Sequence, residues 1–506
     1  MIYPLTIDAL ESVKSLPTSV FLWQRLSSLI QSLQVEDRSE LIDKVIVLSF
    51  DSVDARWLQY SALAYLTGDF EWLVKQSVLV GSNMATDAIV NLLCLAWHQA
   101  LVGNQDRDSF FKKLENLEAA KLQSFVAKRL PFIQGPKRIV ESPLRLAIYT
   151  PQILNSRHGG TFFTLNVMSM LTRHGLSVQT FTAQEATIPE TFSYCGGENF
   201  LTPLSVDTES LKLNVPGNVQ IILPDTAFSL RFRYEKILSA IHSYAPDLII
   251  FVGFMSPLIY KLYAHYPVLG LSVHTLAPIA PVDVWLKDQQ QEAPMFWQNL
   301  PIPKVVDFPF RFWPRGSAIP VDWVSKHIPE SAVVLVAVGY RLDMEMPQSW
   351  LVQMLSFIEA HEQAHWLLIG STEIEVLDRL PRHSRIHIIA PQSNIEAWLS
   401  ACDIYVNPPR MGGGGSVAMA MEQGLPVVSF AGSDGGDKVG AWAVSSMSHY
   451  FDQLTHWLMN ASAREQAGNK LKESFHTRLD ISSAWSLETF MQACQSALQL
   501  FNQRME

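Results

Sequence analysis

The pattern of apolar and polar positions changes once along the chain. Up to about residue 140, apolar residues recur at every third or fourth position, as in 21–30. This spacing places apolar side chains on one face of a helix. Beyond that point, short apolar runs alternate with helical stretches, which is typical of buried parallel strands joined by helices. The pattern therefore predicts an all-α segment followed by a longer α/β region.

Within the all-α segment, two stretches share one layout. Each has an apolar helix, a turn glycine and a second helix start, and the turn glycines are Gly68 and Gly103. Their spacing is close to the ~34-residue period of helical-hairpin repeats. A plain helical bundle fits the sequence equally well, so both arrangements stay open. The prolines and glycine within 129–137 indicate a linker, which gives a first domain over 1–135.

The α/β region divides into two series of predicted strands, separated by a proline-rich stretch over 301–320. The predicted strands are 144–150, 177–182, 219–223, 248–252 and 268–273 in the first series, and 333–338, 365–369, 386–389, 404–406 and 426–430 in the second. These series predict an α/β protein with two doubly wound, Rossmann-like domains over 143–310 and 320–480, and a C-terminal helix within 481–506. Two such domains in tandem leave a ligand cleft between the carboxyl ends of their strands.

Composition narrows the class of protein. The chain has 506 residues, of which 48% are apolar and 17% are charged, enough for large cores. The formal net charge of -10 and the lack of a basic run argue against nucleic acid as a partner. The four cysteines stand far apart, as in a protein with reduced, buried thiols. No leader-like start and no membrane-length apolar stretch is present in the sequence, so we expect a cytoplasmic protein without a transmembrane segment, with peripheral membrane attachment left open.

The most distinctive segment follows the predicted strand 404–406. It reads Asn-Pro-Pro-Arg-Met-Gly-Gly-Gly-Gly-Ser over 407–416 and leads into a helical stretch up to Gln423. A glycine-rich helix start presents free backbone N–H groups and the positive end of the helix dipole, which suits a phosphate. A tight turn is the alternative explanation, although four successive glycines exceed what one turn needs and cost backbone entropy.

An ordered series of segments resembles the donor half of the GT-B glycosyltransferases, the superfamily of glycogen-synthase-like and mannosyltransferase-like enzymes. The segments are 338–343, 366–370, 401–408, the glycine loop, 420–428 and the Gly-Gly pair at 435–436. The first α/β domain resembles the acceptor half of the same enzymes, with Gly159 and Gly160 at its first helix. The all-α segment adds a loose similarity to bacterial protein glucosyltransferases. The similarity to the two GT-B halves covers most of 144–480.

The resemblance implies a hexosyltransferase that moves a sugar from a nucleotide-diphosphate sugar, with UDP favoured, to a protein or glycan acceptor. It places the diphosphate on the backbone of Gly413, Gly414, Gly415 and Ser416. The sugar nucleotide is a co-substrate, so no further cofactor and no metal is expected. The helical segment is then a candidate site for the acceptor or for a protein partner. A catalytically inactive nucleotide-binding scaffold and a sugar-nucleotide epimerase are the alternatives.

The sequence departs from the family pattern around the phosphate. Retaining members of the GT-B superfamily carry two glutamates that flank the glycine loop. In this sequence the two positions are occupied by Met411 and Met419. Glu422 is expected to be a solvated surface acid rather than a replacement. Arg341 matches the family's arginine, whereas the lysine that should follow near Glu345 is missing.

Several residues are candidates for contacts with the donor or the acceptor. Lys438 is the candidate replacement for the missing lysine, and Asp434 and Asp437 beside it are candidates for contacts with sugar hydroxyls. For Arg341 and Lys438 a structural ion pair is the alternative. His274, His158 and Asp283 are candidate acids or bases, with Asp283 suited to an inverting transfer. A purely structural role is the alternative for each of these acids and bases.

Overall fold

The N-terminal part of the protein is helical, as predicted. In the computed structural model the described residues are 2–102, 107–131, 144–154, 159–187, 221–273, 276–287, 295–308, 312–371 and 380–506. The first eight helices are α1 (Ile2–Ser15), α2 (Val20–Gln31), α3 (Val35–Ile46), α4 (Val53–Thr67), α5 (Glu71–Val78), α6 (Thr86–Val102), α7 (Arg107–Asn116) and α8 (Ala119–Lys128). Ser19 and Ser52 cap α2 and α4 through their hydroxyl groups. Gly68 ends α4, while Gly103 lies outside the described residues.

The first sheet is parallel and has seven strands in the order β3-β2-β1-β4-β5-β6-β7. Its strands are β1 (Arg145–Tyr149), β2 (Ser177–Phe181), β3 (Ile221–Ile222), β4 (Leu248–Val252), β5 (Val268–Leu271), β6 (Val284–Lys287) and β7 (Lys304–Asp307). The helices in this part are α9 (Gly159–Arg173), α10 (Leu230–Tyr244) and α11 (Pro257–Tyr263). The central strand β4 is buried along its whole length, so it presents apolar side chains to both faces.

The second sheet is also parallel, with the strand order β10-β9-β8-β11-β12. Its strands are β8 (Val333–Val338), β9 (Ala364–Ile369), β10 (Ile386–Ile389), β11 (Ile404–Val406) and β12 (Val427–Val428). The helices of this part are α12 (Asp322–His327), α13 (Leu342–Glu345), α14 (Gln348–Ala360), α15 (Ile395–Leu399), α16 (Gly414–Gln423), α17 (Asp434–Val439), α18 (Met447–Met459), α19 (Ala461–Ser474) and α20 (Ala484–Met505). The predicted helix at 374–379 lies outside the described residues.

The parts of the chain share their cores. One buried cluster runs from the helical segment, through Trp23 and Phe110, to Tyr149 and Trp285 of the first sheet. A second cluster joins the other face of that sheet to the second sheet and to Cys494 of α20. The chain crosses between the sheets twice. The two crossings are joined by hydrogen bonds from Phe312 N to Leu479 O and from Ile481 N to Phe312 O. Within the described residues, no helix is both long and apolar enough to cross a membrane.

Candidate active site

A cavity of about 1530 Å³ lies where the carboxyl ends of the two sheets face each other. Loops after β1, β2, β4 and β5 line one side, and loops after β8, β9 and β11 line the other. A stripe on α6 forms a further wall, made by Val90, Leu93, Cys94, Trp97 and Leu101. The predicted cleft is therefore present, and the helical segment contributes directly to it.

The glycine loop makes a left-handed turn immediately before a helix. Gly413 has φ +92°, a value that L side chains rarely adopt, and it immediately precedes α16. The first hydrogen bond within the helix runs from Val417 N to Gly413 O, so the N–H groups before Val417 have no partner in the preceding turn. A Cβ on Gly414 would lie 3.0 Å from Asp434, whereas a Cβ on Gly415 would meet no protein atom within 4 Å. Gly415 therefore borders open space at the N-terminus of α16.

The Ser416 hydroxyl is already engaged with the protein. It donates to Gly413 O at 3.0 Å and accepts from the Tyr405 hydroxyl at 2.7 Å. This hydroxyl closes the first turn of α16, so a bond to a phosphate would require it to change partner. The backbone N–H groups remain the main donors that the loop offers.

Arg410 connects the loops on the two sides of the proposed phosphate position, and the sequence analysis did not identify it. Its guanidinium donates to Val338 O at 2.9 Å, to Asn407 Oδ1 at 2.9 Å and to Glu345 Oε2 at 3.0 Å. Side chains on Gly339 or Gly413 would collide with it. The only signal in the sequence was an arginine inside the Pro-Pro-Arg-Met-Gly run, which does not reveal that the side chain folds back under the loop.

The predicted cations line the cavity beside this loop. Arg341 forms an ion pair with Glu345 at 2.6 Å and is 30% exposed, so its guanidinium is accessible from the cavity. Burial alone would raise the pKa of Glu345, but Arg410 and Arg341 outweigh it and hold that pKa below its usual value. Lys438 and Asp437, both on α17 and nearly buried, also line the cavity.

On the acceptor side, Gly159 and Gly160 begin α9 and line the same cavity. The two predicted histidines, His158 and His274, lie outside the described residues. The described neighbours of His274 are Ser272 and Val273, which line the cavity.

Asp283 does not fit the role of base that the sequence suggested. It precedes β6 at the amino end of the sheet, whereas the cavity lies at the carboxyl end. Its carboxylate accepts from Val268 N at 2.8 Å and pairs with Arg504 at 3.1 Å. Burial raises its pKa, and these hydrogen bonds oppose that rise. The arrangement fixes α20 to the first sheet.

The sequence suggested that Glu422 is a solvated surface acid, and this prediction is wrong. The residue is buried, with 3% exposure. One of its carboxylate oxygens accepts from the backbone of Arg315 and Gly316 in the segment that joins the two sheets. Met411 is buried in the core that includes the helical segment, and Met419 lines the cavity. Glu422 thus anchors the connection between the two α/β domains. Because its carboxylate is engaged there, it does not replace the glutamates that are missing at Met411 and Met419.

The wall formed by α6 reaches both sides of the cavity. Cys94 lies near Glu185, a buried residue after β2 that the sequence analysis missed. His98 lies close enough to Arg341 and Glu345 to interact with their charges, and burial lowers its pKa to about 4. Helix α6 therefore spans the space between the two sheets.

A family profile matches part of the second α/β domain. The profile of the family described as "Glycosyl transferases group 1" matches residues 332–451, which include β8, the glycine loop and α17. This segment is the donor half in the resemblance described above. The match supports sugar transfer as the general activity. A comparison with curated proteins finds no match to the chain.

Structural comparison gives the fold of the whole chain. A mutant O-GlcNAc transferase from Thermobaculum terrenum superposes with a TM-score of 0.60 at 11% identity, over 99% of this chain and 94% of that one. The Anabaena protein HepE, solved with UDP-glucose, gives 0.46 at 13% identity, over 69% and 98%. The lipopolysaccharide outer core galactosyltransferase WaaB gives 0.46 at 12%, over 70% and 99%. The resemblance to GT-B glycosyltransferases is confirmed, and this chain has the GT-B fold with an all-α segment before it.

Proposed function

We propose that the protein transfers a hexose from a UDP-sugar to a hydroxyl group of a polypeptide, without a metal. The observation that carries this proposal is the position of α6, which makes the helical segment a wall of the same cavity that the glycine loop borders. The cavity of about 1530 Å³ exceeds the ~300–1,000 Å³ that a single small ligand usually fills, so it has room for a donor and part of an acceptor.

In this proposal the diphosphate lies on the N–H groups at the start of α16. Arg341 and Lys438 offset the negative charge that develops as UDP leaves. Arg410 is 4% exposed and holds the loops around it in place through its hydrogen bonds to Val338, Asn407 and Glu345. The acceptor then enters between α6 and the loops after β1 and β2.

The experiment uses the full chain with UDP-glucose, UDP-N-acetylglucosamine and GDP-mannose, each with a library of serine and threonine peptides. Mass spectrometry detects a glycosylated peptide, and a coupled assay detects the released nucleotide. The proposal predicts transfer from a UDP-sugar to peptide. Transfer to oligosaccharides alone would make the acceptor a glycan.

A variant of α6 tests the acceptor side separately. Trp97→Ala removes a large cavity-lining side chain, so we expect a higher KM for peptide and an unchanged Kd for UDP. Phe21→Ala, on a residue of α2 that is 68% exposed, is the control and should change neither value. If Trp97→Ala left the peptide KM unchanged, α6 would not bind the acceptor.

The scaffold alternative keeps one supporting observation. Met419 lines the cavity where retaining relatives carry a glutamate, and a thioether is a poor hydrogen-bond acceptor. Binding of UDP without turnover of any donor, with the peptide library and with oligosaccharides, would favour the scaffold over the enzyme.

A further inference from the structure

Glu185 is a carboxylic acid at the edge of the cavity that none of the roles above uses. It follows β2 on the acceptor side and is 4% exposed. Its backbone N–H donates to Pro151 O at 2.8 Å, and the next N–H, of Ala186, donates to Gln152 Oε1 at 2.9 Å. The turn that carries Glu185 is therefore bonded to the loop after β1, which also lines the cavity.

The backbone of this turn is held in a costly conformation. Gln184 has φ +53° although it is not a glycine, and its side chain bonds both Ile153 N, at 2.9 Å, and Ile153 O, at 2.8 Å. Fully buried Arg233 donates to the carbonyls of Ala183 and Gln184. A left-handed non-glycine residue is strained and persists only where its surroundings enforce it. These contacts fix the backbone of the turn and therefore the direction in which the Glu185 side chain points.

Four elements contribute the groups that face the carboxyl. The Tyr149 hydroxyl from β1 donates to its Oε1, and the Ser256 hydroxyl at the start of α11 donates to the same oxygen at 2.5 Å. The charged or titratable groups around it are Tyr149, Arg233 and Tyr234 of α10, and Cys94 of α6. Burial raises the pKa of Glu185 to about 7, while the hydrogen bonds from Ser256 and Tyr149 oppose the rise. A carboxyl that titrates near neutral pH suits a general base.

We propose that Glu185 is the general base of the sugar transfer. The acceptor hydroxyl gives its proton to the Glu185 carboxylate while its oxygen forms a bond to the anomeric carbon. The bond from that carbon to the β-phosphate oxygen breaks, the electron pair leaves with UDP, and Glu185 later returns the proton to water. Attack from the face opposite the leaving group gives inversion. This inference rests on the proposed function, because it needs a donor on the glycine loop across the cavity.

The test is Glu185→Gln, which keeps the size of the side chain and an oxygen for Tyr149 and Ser256. With the donor and peptide that the wild type uses, kcat should fall ~10²–10⁴-fold, as for loss of a general base. The Kd for UDP and the melting temperature should not change. Transfer at the wild-type rate would overturn the proposal, and so would loss of UDP binding together with a lower melting temperature, which would mark Glu185 as structural.

The pH profile provides a readout that a structural role would not affect. The wild-type rate should fall as the pH drops below about 7, because Glu185 becomes protonated. Tyr149→Phe removes a hydrogen bond that favours the carboxylate, so this limb should move to higher pH. If the acid side of the pH profile were the same in Tyr149→Phe and wild type, Glu185 would not be the general base. A wild-type chain that binds UDP but turns over no donor would instead reject the proposed function, so the two failures are distinguishable.

Discussion

The Arg410 guanidinium lies 3.0 Å from the Oε2 atom of Glu345, and this ion pair joins the loop after β11 to the helix after β8. Both side chains are nearly buried, at 4% and 7% exposure. Arg341 binds the other oxygen of the same carboxylate from a more exposed position. One arginine is therefore buried beneath the glycine loop, whereas the other is partly exposed at the cavity.

This difference predicts that two arginine substitutions affect different properties, stability in one case and UDP binding in the other. Arg410→Met removes the ion pair with Glu345 and the hydrogen bonds that join the loop after β11 to the loop after β8. We therefore expect a loss of roughly 3–5 kcal/mol in unfolding free energy, as for broken buried pairs. Arg341→Met should change stability by less than about 1 kcal/mol, as for a partly exposed pair, yet weaken UDP binding. Urea unfolding and calorimetric titration with UDP measure the two effects. Equal destabilisation by both substitutions would contradict the division of roles.

The glycine loop predicts a pair of opposite effects. Gly415→Ala adds a methyl group that meets no protein atom and replaces a helical glycine, so stability should rise by up to about 1 kcal/mol. The same methyl group enters the proposed phosphate position, so UDP affinity should fall.

Gly413→Ala is the matched control for the loop. It adds a methyl group at φ +92° beside Arg410, so it should destabilise the fold. If Gly415→Ala bound UDP as well as the wild type, the space beside Gly415 would not hold the phosphate.

Asp283 should be dispensable for chemistry. Asp283→Asn weakens the pairing with Arg504 far from the cavity, so we expect a loss of about 1–3 kcal/mol in stability and an unchanged kcat. Thermal unfolding and the peptide-transfer assay test the two parts of this expectation. A large fall in kcat at an unchanged melting temperature would restore Asp283 as a catalytic candidate.

A pair of histidines predicts how stability depends on pH. His365 Nδ1 lies 3.1 Å from His387 Nε2, and burial lowers both pKa values, that of His387 to about 4. In the unfolded chain a histidine titrates near pH 6.5, so between about pH 4 and 6.5 the unfolded state binds more protons. Stability should therefore be full above about pH 6.5 and decline as the pH falls towards 4.

Replacing His387 with Gln should reduce this pH dependence, by on the order of 1 kcal/mol after allowing for solvent screening of a half-buried ring. Urea unfolding of both proteins at about pH 7 and about pH 4.5 measures the change. An identical pH dependence in both proteins would rule out the pair as its source.

Much of the fold could be predicted because most of the buried strands are continuous apolar runs, although the buried strand β6, which ends in Lys287, was not predicted. The predicted strands at 248–252 and 333–338 agree with β4 and β8 residue for residue. Strand β7 was not predicted, since it lies at the sheet edge, is largely exposed and carries Lys304 and Asp307 at its ends. A pattern of buried residues cannot reveal an exposed strand.

The site was only partly predictable, because a carboxylate beside a strand has two uses that look alike in sequence. Three aspartates each precede a strand: Asp247, Asp283 and Asp403. The carboxylate of each accepts a hydrogen bond, at 2.7 to 2.8 Å, from the backbone N–H of the first or second residue of the neighbouring strand. An aspartate before a parallel strand is thus a cap at the amino edge, away from the ligands. Glu185 comes after a strand, at the carboxyl edge, and this distinction could have separated Glu185 from Asp283.

A crystal structure of the full chain with UDP would locate the diphosphate relative to the glycine loop. We expect the β-phosphate within about 3 Å of the N–H groups at 414–416, as hydrogen bonding requires, with Arg341 turned towards it. A diphosphate bound elsewhere in the cavity, with these N–H groups facing only water, would contradict this expectation.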